Sequence, residues 1–210
     1  MGREMSKRLT ARCGGLGAIG LLGLLLFAAP AQATLYCVPT TTQCPAGAVA
    51  SATIQSALNS AEAAGDDDIV IQPGTYTGNF AYEPSIANAG TLYITPRLQG
   101  TVTLRSNTNA GTTLKILGDS NDSETWVQDL QIHAPDRGTA LSTFGNVGSA
   151  VIRTASGAQG ATGLALFGST LATSVDIQMD DNGQPGSRGL SINESAGNWA
   201  GDTTITNSVI

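Results

Sequence analysis

Val127-Gln-Asp-Leu-Gln-Ile132, Val147-Gly-Ser-Ala-Val-Ile152, Ala172-Thr-Ser-Val-Asp-Ile177 and Ile205-Thr-Asn-Ser-Val-Ile210 are four versions of one short phrase. Each opens on an apolar residue, passes a small or polar pair, and ends as an alternating strand closing on Ile. The copies start 20, 25 and 33 residues apart. A second phrase runs between them: Thr113-Leu-Lys-Ile-Leu-Gly118, Thr139-Ala-Leu-Ser-Thr-Phe-Gly145, Thr162-Gly-Leu-Ala-Leu-Phe-Gly168 and Arg188-Gly-Leu-Ser-Ile-Asn193. Its leading leucines, Leu114, Leu141, Leu164 and Leu190, are spaced by 27, 23 and 26 residues. Strands this short cannot bury a face alone, so each copy must stack on the next and share one interior. The reading is an all-β solenoid whose unequal insertions fall in loops. At roughly 24 residues per coil and about 4.8 Å per rung, the stretch from Leu92 to Ile210 predicts about five coils over about 24 Å.

The third residue of the first phrase is Asp129, Ser149, Ser174 or Asn207, always small and polar between apolar neighbours. Such a residue suits a tight bend, and a stacked row of them predicts side chains hydrogen-bonded along the axis. The closing phrase, Ile205 to Ile210, has no helix, Pro or charge after it to blunt an edge. It leads us to expect either further coils or a partner on that edge.

Upstream the pattern changes. Within Thr53-Ile-Gln-Ser-Ala-Leu-Asn-Ser-Ala-Glu-Ala-Ala64, the residues Ile54, Ala57, Leu58 and Ala61 fall at i, i+3, i+4 and i+7, and Gly65 stands at a C′ position. This predicts a short amphipathic helix. Asp66-Asp67-Asp68 then reads as a solvated turn into the strand Ile69-Val70-Ile71, which Pro73-Gly74 should end.

These residues resemble the opening of secreted right-handed parallel β-helix proteins of the pectin lyase-like group. The resemblance rests on Thr53-Ile-Gln-Ser-Ala-Leu58, Gly65-Asp66, Ile69-Val-Ile71 and Pro73-Gly-Thr-Tyr76, and it covers residues 53 to 210. It implies a helix capping the open end of the first coil and a turn at Pro-Gly-Thr-Tyr. It also implies an outer face on which the polysaccharide lyases of that fold act, commonly with acidic residues for calcium and a basic residue as the proton acceptor.

The N-terminus reads as a leader. Arg3, Lys7, Arg8 and Arg12 precede an apolar run from Leu16 to Ala29, and Ala31-Gln32-Ala33 supplies small residues for cleavage. Fourteen apolar residues span about 21 Å of a hydrocarbon core of about 30 Å, too little for a membrane span. The expected organisation is therefore a signal peptide at 1–33, an N-terminal segment at 34–52 and a solenoid domain at 53–210. Four of the ten basic residues and one of the 16 acidic ones lie in the leader, leaving six against 15 and a formal charge of −9. That charge excludes nucleic acid as a partner, since phosphate binding needs basic clusters. Charged residues are only 12% and Gly numbers 26, against helical bundles and charge-driven disorder alike. Cys37 and Cys44 should close a disulfide loop in an oxidising compartment.

Strand alternation names the outward residues. With Leu130 and Ile132 inside, Gln131 and His133 face out, followed on later coils by Val151 with Arg153 and by Asp176 with Gln178. Two residues further on lies Asp180. His133, Arg153, Asp176 and Asp180 are thus candidate catalytic residues on one outer face, with Asp176 and Asp180 as candidate calcium ligands. The chemistry matches the residue types: a cation neutralises a uronate carboxylate so that the neighbouring proton becomes acidic, and a base removes it. The EF-hand pattern fails, because position 178 is Gln and position 187 is Ser, and no Gly-x-Ser-x-Gly elbow occurs. Two functions are expected of such a chain. One is a secreted or cell-surface module that binds extracellular glycans or serves as a structural or adhesive scaffold without catalysis. The other is a polysaccharide lyase or glycoside hydrolase acting on uronate-containing polysaccharide.

Overall fold

The chain begins with β1 (Thr34–Val38), β2 (Val49–Ala50) and helix α1 (Ile54–Ala61). Coils of three strands follow. The first is β3 (Asp67–Ile71), β4 (Gly74–Thr77) and β5 (Phe80–Tyr82). The second is β6 (Thr91–Pro96), β7 (Val102–Arg105) and β8 (Thr112–Ile116). The third is β9 (Glu124–Gln128), β10 (Leu130–Ala134) and β11 (Thr139–Thr143). Next come β12 (Asn146–Gly148), β13 (Val151–Thr154) and β14 (Thr162–Phe167), then β15 (Leu171–Thr173), β16 (Asp176–Gln178) and β17 (Arg188–Asn193). β18 (Thr204–Thr206) opens another turn. This computed structural model describes residues 33–40, 43–61, 66–84, 90–97, 100–117, 124–154, 159–168, 170–179, 186–193 and 203–210. Residues 1–32 of the leader, Gly65, Asp180 and Trp199 lie outside the described residues.

Strands of equal rank in each coil pair in parallel and build three sheets. Sheet I runs β18-β15-β12-β9-β6-β3-β1-β2, sheet II β16-β13-β10-β7-β4 and sheet III β17-β14-β11-β8-β5. The protein is a parallel β-helix. Its registers are those of the repeated phrases: Val127, Val147, Ala172 and Ile205 stack in sheet I, Ile132, Ile152 and Ile177 in sheet II. In sheet III Leu114, Leu141, Leu164 and Leu190 are consecutive partners. These columns line one interior, in which Leu114, Ile132, Leu141 and Ile152 are fully buried.

From the third coil onward the corner between sheets I and II turns on one left-handed residue. Asp129, Ser149, Ser174 and Asn207 have φ of 56°, 50°, 56° and 51°. The bend is as expected, but the ladder is not. All four side chains are exposed, and the links between coils are made by backbone N–H groups. Asp129 donates to the Gly148 carbonyl at 3.1 Å, Ser149 to Thr173 at 3.0 Å and Ser174 to Thr206 at 3.0 Å. Small polar residues are used here because they tolerate the left-handed region, not because they bond to one another. Ser149→Val should therefore destabilise by about 1–2 kcal/mol, whereas Ser149→Gly should be neutral or stabilising, as urea titration of both variants would show.

The first coil starts directly after α1, at the strand Asp67–Ile71. Gly74–Thr77 is a strand of sheet II, and Gln72-Pro73 forms the corner before it. Pro73-Gly74 thus ends β3, as expected, and leads directly into the next strand of the coil. Among the described residues five complete coils run from β3 to β17, so four and a partial turn follow Leu92, where about five were expected.

Helix α1 buries Ile54, Ala57, Leu58 and Ala61, the stripe its periodicity predicts. Thr53 caps it: its Oγ1 accepts the Ser56 N–H at 3.0 Å while Ser56 Oγ accepts the Thr53 N–H at 3.2 Å. Gln55 then replaces a missing strand. Its Oε1 accepts the Ala81 N–H and its Nε2 donates to the Ala81 carbonyl, both at 2.8 Å, satisfying the β5 edge. Cys37 and Cys44 form the disulfide, with a Cα–Cα distance of 5.7 Å. Among the described residues no helix is long and apolar enough to cross a membrane. On the last coil Ile192, Val209 and Ile210 are exposed.

Candidate functional site

Sheet II carries a row of outward side chains in consecutive register: Thr77, Arg105, His133, Arg153 and Gln178. Each alternates with an inward residue, Leu104, Ile132, Ile152 or Ile177 beside the last four, so burial of the aliphatic neighbours forces these groups out. Neighbouring rungs lie about 4.8 Å apart, which brings two guanidiniums to either side of one imidazole. The row faces an open depression of about 620 Å³, lined among others by Arg105, Ser106, His133, Asp136, Arg153 and Gln178.

The electrostatics follow from this stacking. Burial lowers the His133 pKa below its ordinary value, and the Arg105 and Arg153 charges push it the same way. His133 is therefore neutral at pH 7, with its backbone carbonyl accepting the Thr113 hydroxyl at 2.6 Å. Arg153 Nε is buried and has no hydrogen-bond partner among the described residues. A desolvated guanidinium donor with nothing to bond is costly and is satisfied when an anion enters. The carboxylate on the rim, Asp136, is engaged through Oδ1 by the Gln159 N–H at 3.0 Å.

The candidate residues divide. His133 and Arg153 are direct register partners and share the depression. Asp176 is on the same sheet but in the adjacent row, paired with Val151, and its Oδ2 accepts the Gln178 amide at 2.6 Å. Asp180 lies outside the described residues, so the structure is silent on a calcium site shared by Asp176 and Asp180. Among the described residues no group of three or more His, Cys, Asp or Glu could hold a metal ion. Arg105 completes the row and was not among the sequence candidates. Alternation in Val102-Thr-Leu-Arg105 carries the signal, but Gly100-Thr101 stands before that strand in place of the Asp, Ser or Asn that marks the other copies.

The three aspartates are not a solvated turn. Asp67 and Asp68 belong to β3 and point to opposite faces: Asp67 is 4% exposed and faces inward, while Asp68 faces out. Asp66 Oδ1 accepts the Thr91 N–H at 2.8 Å. Aromatic side chains can stack on sugar rings, and here they lie apart: Tyr82 is in the core, Tyr76 bonds the Gln72 carbonyl at 2.8 Å, and Tyr93 and Trp126 are register partners on the outside of sheet I.

Fold and site together define a parallel β-helix with a cationic depression on one outer sheet. No family model, curated protein or solved structure matches the chain.

Proposed function

We propose that the chain is a secreted β-helix module of the pectin lyase-like kind that binds an acidic extracellular glycan on the outer face of sheet II. The carrying observation is the Arg105–His133–Arg153 row, stacked in register and lining an open depression. A uronate polymer suits it because each sugar offers a planar carboxylate, the group a guanidinium fork pairs with best. The overall acidity of the chain narrows the choice, since a protein of this charge repels polyanions everywhere except at such a local basic row. Export through removal of residues 1–33 agrees with the disulfide between Cys37 and Cys44.

A second reading is favoured by one observation, the imidazole stacked in register between two arginines, whose charges together with burial lower its pKa. There the arginines would neutralise the uronate carboxylate and His133 would accept the neighbouring proton, giving chain cleavage by elimination. Calorimetric titration with oligogalacturonate, oligoalginate and neutral glucan separates these outcomes. Micromolar to millimolar binding of an acidic oligomer, with none for the neutral one, supports the binding function. Equal affinity for both oligomer types, or no binding, overturns it. Appearance of unsaturated sugar in the same mixtures, with and without calcium, moves the assignment to the lyase.

A further inference from the structure

We propose that the amino terminus created by leader removal is itself a ligand of the coil, the Thr34 α-ammonium closing as an ion pair on the buried Asp67 carboxylate. This rests on the export reading above. The Thr34 nitrogen starts β1, the strand that lies between β2 and β3 at the N-terminal end of sheet I. It stands 3.0 Å from the Asp66 carbonyl and 3.1 Å from Asp67 Oδ1. In the uncut chain this nitrogen is an amide with one proton shared between two acceptors. Asp67 Oδ2, buried in a residue only 4% exposed, has no hydrogen-bond partner among the described residues.

Hydrolysis of the Ala33–Thr34 bond changes the donor count. Water supplies its OH to the Ala33 acyl carbon and a proton to the departing Thr34 nitrogen, which takes up a further proton at neutral pH. The resulting ammonium carries three protons and a charge where the amide carried one proton and none. It can keep both existing bonds and supply the third proton to the carboxylate. The site is open enough for this: a depression of about 300 Å³ at the strand start is lined by Ala33, Asp66, Asp67, Asp68, Thr91 and Tyr93. Three acidic side chains and no basic one line it.

The charge balance of the uncut site is unfavourable in a way that cutting corrects. Burial raises the Asp67 pKa, the Thr34 hydrogen bonds oppose that, and Asp68 and Asp66 add to the rise. The groups facing it are Asp66 and Asp68 on its own segment, Tyr36 from β1 and Tyr93 from β6; α1 contributes no titratable side chain. A cation placed among them relieves both burial and repulsion.

The test uses the full 210-residue chain, exported and processed by an expressing cell. N-terminal sequencing should read Thr34. Pulse acetylation of the α-amine across pH should then give an apparent pKa at least one unit above the ordinary range of about 7.7–8.0. At pH 8 its acetylation should be slowed several-fold or more, and urea should abolish that protection. Asp67→Asn should return the amine to ordinary reactivity; where that variant does not fold, the wild-type comparison with and without urea decides alone. A mature chain beginning at Thr34 whose folded amine titrates normally overturns the ion pair. An unprocessed chain, or one cut elsewhere, overturns the export reading at Ala33 and the ion pair with it.

Discussion

Leu141→Ala should lower the unfolding free energy by about 3–5 kcal/mol, measured by urea titration, and so remove a large part of the about 5–15 kcal/mol that holds a domain together. Leu141 is fully buried and sits midway in the sheet III column, with Leu114 on one side and Leu164 on the other. A truncated side chain at such a place leaves a cavity that neither neighbour can fill, because each is fixed by its own strand register. A truncation at the exposed end of the neighbouring column, Ile116–Thr143–Leu166–Ile192, should cost far less. Ile192 is 51% exposed on β17, so Ile192→Ala should change stability by under about 1 kcal/mol. A solenoid makes this contrast its signature, since each coil is supported only by its neighbours. Equal losses at both positions would falsify a core shared along one axis.

What the sequence reveals of this fold depends on the corner residue. Where Asp129, Ser149, Ser174 and Asn207 mark a left-handed bend, the flanking strands can be aligned by eye, and every alignment made this way matches the observed register. The first coil lacks that mark. Its corner is Gln72-Pro73, and Pro followed by Gly signals a turn between hydrophobic runs more strongly than a junction between two sheets. The stripe of α1 was legible because it is a local property of eight residues. Gln55 was not, because its role exists only against the open edge of β5, which is distant in sequence.

The candidate site was partly legible for the same reason. Alternation tells which residues leave the core, so His133 and Arg153 could be placed outside and neighbouring from the text alone. It does not tell which outward residues sit in a depression and which on a convex surface. That depends on the loops after each strand, whose lengths vary from coil to coil. Asp67 shows the converse failure. Three consecutive acids read as solvent-facing, yet the strand period turns the middle one inward toward Thr34.

Charge reversal at Arg153 should abolish acidic-glycan binding. Arg153→Glu places a carboxylate on the rung beside His133 and should reduce affinity by at least about 100-fold, since one charge-assisted hydrogen bond is worth about 1.5–3 kcal/mol and repulsion adds to its loss. Arg153→Lys keeps the charge but loses the planar fork, so an intermediate loss of about tenfold is expected. Folding should survive both changes, because the side chain leaves the coil on its outer face. The pH profile gives an independent check through His133. Its pKa is lowered in the folded protein by burial and by the two arginines, so between the ordinary value of about 6.5 and that lower one the unfolded chain binds more protons. The free protein must therefore lose stability as pH falls through this window. A bound carboxylate offsets the two guanidiniums, raises the imidazole pKa and draws a proton in, so affinity should rise over the same interval. His133→Gln should flatten both trends while leaving the affinity at pH 8 nearly unchanged. An affinity that stays constant from pH 8 to pH 5 in the wild type, or that survives Arg153→Glu, would place the glycan on some other face of the coil.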